Sequence, residues 1–101
     1  MIKHLVMFKF KNSPDKFEIA REIKKELESL VNVIECLKSM EVHINTLTVQ
    51  GQAHEDYDLV LIGTFNNMDD VHSYAVNPHH LKVVDKIKEN AISRSAIDYE
   101  I

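Results

Sequence analysis

Apolar and polar residues alternate at the start of the chain, and this pattern predicts a β-strand over residues 2–11. Successive side chains of a strand point to opposite faces, so the alternation sorts them into two sets. One face carries Ile2, His4, Val6, Phe8 and Phe10. The other has lysines near its ends and Leu5 and Met7 at its middle. The strand therefore has one apolar face that includes a histidine, and a second face that is apolar only at its centre.

The next segment has the pattern of an amphipathic helix. Ser13, Pro14 and Asp15 predict its start, because a hydroxyl cap, a proline at the first helical position and an acidic side chain all suit a helix N-terminus. The positions that follow on one side at helical spacing are Phe17, Ala20, Ile23 or Lys24, Leu27, Leu30 and Val31. We expect this helix to end near Asn32.

Three more strands are predicted downstream. Residues 38–45 alternate between apolar and polar positions. Residues 57–65 give the strongest strand pattern, because both faces are largely apolar. One of those faces carries Tyr57, Leu59, Leu61 and Phe65, and the other carries Val60 and Ile62. Residues 46–56, which include Gly51, have no sustained period and predict a loop. Residues 93–101 predict the last strand.

Two helical pieces that meet at Pro78 are predicted before the last strand. Asn67 can cap the first piece, in which Met68, Val71 and Ala75 share a face and Tyr74 lies beside them. Proline disfavours helical geometry at the residue before it and suits the first turn of a new helix. The second piece has one apolar stripe, formed by Leu81, Val84, Ile87 and Ala91.

Two adjacent histidines in the second piece should face different surroundings. Residues of a helix advance by about 100° each, so His80 lies roughly 40° from the direction of Val84 and His79 roughly 140° from it. We therefore predict that His80 faces the space between helix and sheet, and that His79 faces solvent.

The order strand, helix, strand, strand, helix, strand predicts an α+β, ferredoxin-like βαββαβ fold. Right-handed crossovers place both helical segments on one face of the sheet and leave the other face open. Yet Leu5, Met7, Val60 and Ile62 are apolar on that open face. An exposed apolar face of this kind marks an interface, and the sheet of a second copy would cover it. The pattern thus predicts a homodimer.

Composition limits the class of protein. The 101 residues fit a single domain over residues 1–101. The net charge of −4 argues against a nucleic-acid partner, which needs a basic face. No apolar run approaches the ~20 residues of a membrane helix, and the charged, alternating start is unlike a signal peptide. The single cysteine, Cys36, fits a reducing compartment, so we expect a cytoplasmic protein.

Three segments of the chain resemble the stress-responsive A/B barrel family, the dimeric alpha–beta barrel (Dabb) proteins. They are IKHLVMFKFK at residues 2–11, YAVNPHH at 74–80 and DYE at 98–100. The resemblance implies the ferredoxin-like unit already described, with two subunits pairing their sheets into a barrel. One plant branch of the family resembles cofactor-independent polyketide cyclases, whose pocket lies between sheet and helices. By position, His4, Tyr74 and His80 match that pocket, whereas Leu59 stands where the cyclase branch offers a histidine.

These residues leave three functions open. The first is a binding module with a small-molecule pocket for an apolar or polyketide-like ligand, lined by His4, Phe8, Leu59, Tyr74 and His80. The second is a cofactor-free cyclase or isomerase in which His80 is the general base and Tyr74 and His4 orient or stabilise an enolate. The third is a structural or interaction dimer without a pocket. No metal site is expected, because His79 and His80 face apart on their helix.

Overall fold

Four strands and three α-helices form the part of the chain that the computed structural model describes, residues 1–46 and 57–101. The elements, in chain order, are β1 (Ile2–Phe10), α1 (Lys16–Ser29) with a 3₁₀ turn (Leu30–Asn32), β2 (Ser39–Ile44), β3 (Leu59–Phe65), α2 (Met68–Val76), α3 (Pro78–Asn90) and β4 (Ala91–Glu100). This order confirms the ferredoxin-like α+β fold. Nearly all of the loop predicted over residues 46–56 lies outside the described residues.

The strands form one antiparallel sheet in the order β2-β3-β1-β4, so β1 and β3 are central. Val6 lies opposite Leu61 of β3 and Ala96 of β4, whereas Met7 lies opposite Val60 and Ser95. Directly paired residues share a face of the sheet. The register therefore confirms the two sets of side chains that the alternation predicts.

The hydrophobic core lies between the helices and one face of the sheet, here called the inner face. β1 contributes Val6, Phe8 and Phe10 to it, and α1 contributes Ala20, Ile23 and Leu27, all of them buried. Phe65 of β3 packs edge-on against Tyr74 of α2, with ring centroids 5.2 Å apart. Burial of these side chains fixes the helices against the sheet and so sets the position of every residue between the two layers.

The start of α1 differs from the prediction. The helix begins at Lys16 instead of Pro14, and the Ser13 hydroxyl donates to the Asp15 carboxylate at 2.8 Å instead of capping the helix. Phe17, expected in the buried stripe, is 46% exposed. Its ring lies under the ammonium group of Lys16, 5.5 Å from the centroid, which gives the aromatic face a partner at the surface.

The break between α2 and α3 follows the prediction. The Asn67 side chain accepts from the backbone N–H of Asp70 at 2.9 Å and caps α2. Asn77 is extended, and its side chain accepts from the backbone N–H of His79 at 2.9 Å. Pro78 then occupies the first turn of α3. Two short, separately capped helices thus replace one continuous helix.

The buried stripe of α3 is rotated from the one expected. Val83 and Ile87 are the buried residues, whereas Leu81 is 45% exposed and Val84 is half-buried. Leu81 and Val84 both line a cavity beside α3.

The other face of the sheet, here called the outer face, has no helix over it in the described residues. Leu5, Met7, Val60 and Ile62 lie there half-buried, beside Ile97, which is 58% exposed. No helix in residues 1–46 and 57–101 is long and apolar enough to cross a membrane.

Candidate functional site

A cavity of about 280 Å³ lies between the inner face of the sheet and the three helices. Its apolar wall consists of Val6, Phe8, Leu27, Leu61, Val71, Ala75, Leu81, Val84 and Ile87. Its polar lining residues are His4, Tyr74, His80, Lys88 and Arg94. Ligand pockets of proteins typically have volumes of ~300–1,000 Å³, mostly apolar walls and a few convergent polar groups. This cavity has that character at the small end of the range.

The structure brings the three predicted polar residues together. The rings of Tyr74 and His80 are tilted against each other with centroids 4.2 Å apart, and the ring of His4 lies 6.3 Å from that of Tyr74. β1 supplies His4, α2 supplies Tyr74 and α3 supplies His80. Their assembly therefore depends on the tertiary fold and on the break between the two helices. Their roles as binding or catalytic residues remain predictions.

The tautomer of His80 follows from its hydrogen bond. Its Nδ1 lies 3.1 Å from the backbone oxygen of Ala75, and a carbonyl oxygen can only accept, so Nδ1 carries a proton. Burial lowers the pKa of the imidazole below its ordinary value of 6.5; the hydrogen bond to Ala75 opposes this shift, and the nearby His4 and Arg94 add to it. At neutral pH the ring is therefore neutral, and Nε2 holds the free electron pair.

The depressed pKa of His80 predicts a pH dependence of stability. Below about pH 6.5 the unfolded chain takes up a proton that the folded chain binds less readily, so the free energy of unfolding falls; above that pH the group contributes no such dependence. Urea unfolding at pH 7.5 and 5.0, at one protein concentration, should show a smaller loss for His80→Gln than for wild type. His79→Gln, at an exposed site, is the control and should behave as wild type. Equal losses in wild type and His80→Gln would contradict the prediction.

His4 is held by a residue of the edge strand. Its Nδ1 lies 2.5 Å from a carboxylate oxygen of Asp98, directly across the β1–β4 pair. The carboxylate accepts from the Nδ1 proton, which orients the ring and leaves Nε2 for other contacts. The His4 side chain is 15% exposed, so this contact fixes an imidazole that lies mostly within the protein.

Tyr74 carries an unusual polar atom. Its hydroxyl oxygen is buried and has no hydrogen-bond partner among the residues that the structure describes. Burial also raises the pKa of the phenol well above its ordinary value, so the group stays protonated and can donate. A buried hydroxyl without a partner is costly, and in a cavity wall it suits a ligand that brings an acceptor.

Other predicted positions have mixed outcomes. His80 is half-buried at the cavity and His79 is exposed, which confirms the predicted difference between them. Phe8 lines the cavity as expected. Leu59 does not: it is 1% exposed and lies in the core, and Leu61, two residues along on the same face, lines the cavity in its place. Leu59 pairs with Phe8 of β1 and with Ile44 of β2, and its side chain packs within the core cluster.

Sequence reasoning missed three charged residues. Arg94 and Asp98 lie on the inner face of β4, opposite Phe8 and His4 respectively. The alternation in the last strand places Arg94 and Asp98 on one face with Ala96, but it does not reveal which residues lie opposite them. Lys88 follows Ile87 in α3, and no pattern marks it as a cavity residue. Among residues 1–46 and 57–101, no three His, Cys, Asp or Glu side chains are grouped so that they could hold a metal ion.

Gly63 was also missed, although it lies opposite His4 in β3. A Cβ atom at this position would lie 3.0 Å from the Phe65 ring and 3.4 Å from the Leu37 side chain. A larger residue would therefore have to displace the aromatic ring that packs against both His4 and Tyr74. Glycine at position 63 therefore leaves room for the Phe65 ring against His4 and Tyr74.

Comparison with known proteins gives a consistent result. A model of the stress responsive A/B barrel domain family matches residues 2–101. A dimeric Bacteroides fragilis protein of unknown function and ferredoxin-like fold is 31% identical, with a TM-score of 0.87 over 99% of this chain and 95% of that one. A protein from Arabidopsis thaliana is 26% identical, with a TM-score of 0.81 over 100% and 95% of the two chains. No curated protein matches the chain.

One similar structure is that of an enzyme. The hydroxynitrile lyase of Passiflora edulis superimposes with a TM-score of 0.82 over 99% of this chain and 92% of that one. The two sequences are 14% identical, so the likeness shows a common fold and nothing about the reaction.

Proposed function

The chain belongs to the stress responsive A/B barrel domain family, and from that premise we propose that it is a homodimeric protein that binds a small molecule in the cavity of each subunit. Residues 1–101 would act as one domain. The free thiol of Cys36 suits a reducing compartment, and we place the protein in the cytoplasm.

The observation that carries the binding proposal is the cavity itself. Side chains as large as Phe8 and Tyr74 border a space of about 280 Å³ without filling it. Well-packed interiors contain few voids larger than a water molecule, so a space of this size with mostly apolar walls suits a small ligand. The polar groups at its wall include the buried Tyr74 hydroxyl and the imidazoles of His4 and His80, which together can donate to and accept from a ligand.

Filling the cavity should abolish binding. Val84 lines the cavity from α3, and Val84→Phe would place an aromatic ring inside it. We expect 3-phenylpropionamide, a neutral aromatic probe, to shift the NMR signals of cavity residues in wild type and to lose at least about tenfold in affinity in Val84→Phe. Val76→Phe is the matched control, because Val76 is 71% exposed on α2 and does not line the cavity. Unchanged affinity in folded Val84→Phe would refute binding in the cavity.

The homodimer is supported by the outer face of the sheet. Leu5 and Met7 of β1 and Val60 and Ile62 of β3 form a contiguous apolar surface, because each residue of one strand is paired with one of the other. The similar protein from Bacteroides fragilis is dimeric. A second copy offers the same apolar surface, so a two-fold axis through the sheet would cover both at once.

A second candidate function is proton transfer, and one specific contact favours it. The hydrogen bond from His80 Nδ1 to Ala75 leaves Nε2 as an acceptor in a ring whose pKa is lowered by burial. A substrate with a methylene made acidic by neighbouring carbonyls could lose a proton to Nε2, while the Tyr74 hydroxyl donates to the enolate oxygen. His80 would be the general base, the Tyr74 hydroxyl would stabilise the developing charge, and His4 would orient the substrate.

A further inference from the structure

The charged residues of the cavity all have the same sign. Among the described residues that line it, Lys88 and Arg94 are the charged ones, and none is acidic. Both side chains belong to exposed residues, whereas Tyr74 is buried, so the cations lie at the open end of the cavity and the phenol lies in its depth. The chain as a whole has a net charge of −4, so this local excess of positive charge runs against the average of the protein.

The two cations approach the cavity from opposite layers. Arg94 lies on the inner face of β4, paired with Phe8, and Lys88 lies in the last turn of α3. The charge of Arg94 reaches the site itself, because it adds to the effect of burial in lowering the pKa of His80. A ligand between sheet and helix would therefore have a cation on each side of it.

Neither cation is neutralised by a carboxylate in the part of the chain that the structure describes. The neighbouring Lys86, on the same helix, contacts Glu22 at 2.9 Å and Glu26 at 3.5 Å. Unpaired lysines are ordinary on protein surfaces, so the missing partner alone would mean little. What distinguishes Lys88 and Arg94 is that they line a largely apolar cavity, where a guanidinium and an ammonium group favour an anion.

We propose that the ligand of this cavity is a small carboxylate with an apolar body, its carboxylate held by Arg94 and Lys88 and its body between Val6, Leu61 and Val84. This inference rests on the proposed binding function and adds the charge of the ligand to it. The apolar wall selects the body, and the guanidinium group, which can pair with both carboxylate oxygens, selects the anionic end.

The test compares two probes of nearly equal shape, 3-phenylpropionate and its neutral amide, by NMR titration at pH 7.5. We expect the carboxylate to bind wild type at least about tenfold more tightly than the amide, because charge-assisted hydrogen bonds are stronger than neutral ones. Its affinity should fall as salt is raised from low to high concentration, whereas that of the amide should stay constant.

The double variant Arg94→Gln with Lys88→Gln should remove this preference, so that the carboxylate and the amide bind with similar affinity. The matched control is Arg21→Gln with Lys82→Gln, which removes the same two charges from exposed helix positions that do not line the cavity. It should keep the preference for the carboxylate.

Equal binding of both probes to wild type would overturn the inference that the ligand is an anion, while the cavity would remain a binding site. An equal loss of carboxylate affinity in the two double variants would also overturn it, since that result reflects net charge alone. If neither probe binds, both the inference and the proposed function fail.

Discussion

Met7→Lys is expected to convert the protein from a dimer into a monomer. Met7 lies at the middle of β1 on the outer face, between Val60 of β3 and Ser95 of β4. In a two-fold dimer through this face, each interface would bury two new ammonium groups without partners. We expect a loss of about 4 kcal/mol in dimer stability, which corresponds to roughly a thousandfold in Kd. Sedimentation equilibrium at micromolar concentration measures it directly.

Met68→Lys provides the control for Met7→Lys. Met68 begins α2 on the opposite side of the sheet and is 37% exposed, so a lysine there should leave the dimer intact. Because the inner core does not involve Met7, the far-UV circular dichroism of Met7→Lys should remain that of a folded chain. A dimer of unchanged Kd in Met7→Lys, or a wild type that is monomeric at micromolar concentration, would show that the outer face is not the interface.

His80→Ala is expected to have the largest effect on any proton-transfer activity. Removal of a general base costs about 10²–10⁴ in rate, whereas the loss of one orienting hydroxyl in Tyr74→Phe should cost less. The substrate would be a poly-β-keto compound, because a neutral imidazole can deprotonate a methylene between two carbonyls but not much weaker carbon acids. The rates of wild type and variant are compared in the presence of a chelator, and we expect the wild-type rate to be unchanged by it.

His79→Ala is the natural control for this experiment, since the neighbouring imidazole is exposed on the same helix. It should retain the wild-type rate. Equal rates in wild type and His80→Ala would dismiss His80 as the base, and a rate lost to the chelator would indicate a metal. Wild type could instead show no turnover but bind a ligand that His80→Ala does not bind. That result would identify the cavity as a binding site without catalysis.

The sheet was predictable from the sequence because a period of two leaves little freedom. Once Val6 and Phe8 face the core, Leu5 and Met7 must face away from it. The orientation of His80 was predictable for a similar reason, because a helix fixes the angle between neighbouring residues. The start of α1 was predicted less well, because the Ser13 hydroxyl donates to the nearby Asp15 carboxylate instead of capping the helix. Such local hydrogen bonds leave no periodic pattern in the sequence.

The cavity could not be predicted from the periodicity of the sequence, because it lies where side chains at core-like positions do not fill the space between helices and sheet. The spacing of Leu81 and Val84 is that of core residues, and only the tertiary structure shows that they border open space. Leu59 was assigned to the cavity from the family resemblance, and only the tertiary structure shows that its side chain lies in the core. Arg94 and Asp98 were missed for the opposite reason: a charged side chain on an edge strand is ordinarily solvated, and sequence alone does not reveal that its neighbours are His4 and Phe8.

The break at Pro78 changes the hydrogen-bond donor that the backbone oxygen of Ala75 receives. In an unbroken helix the carbonyl of Ala75 would accept from the backbone N–H of His79. Here that N–H is given to the Asn77 side chain, and the carbonyl is free to receive Nδ1 of His80. A substitution that fused α2 and α3 would return the carbonyl to the backbone. Such a substitution would remove the hydrogen bond that fixes the proton on Nδ1 of His80, although the histidine itself would be unchanged.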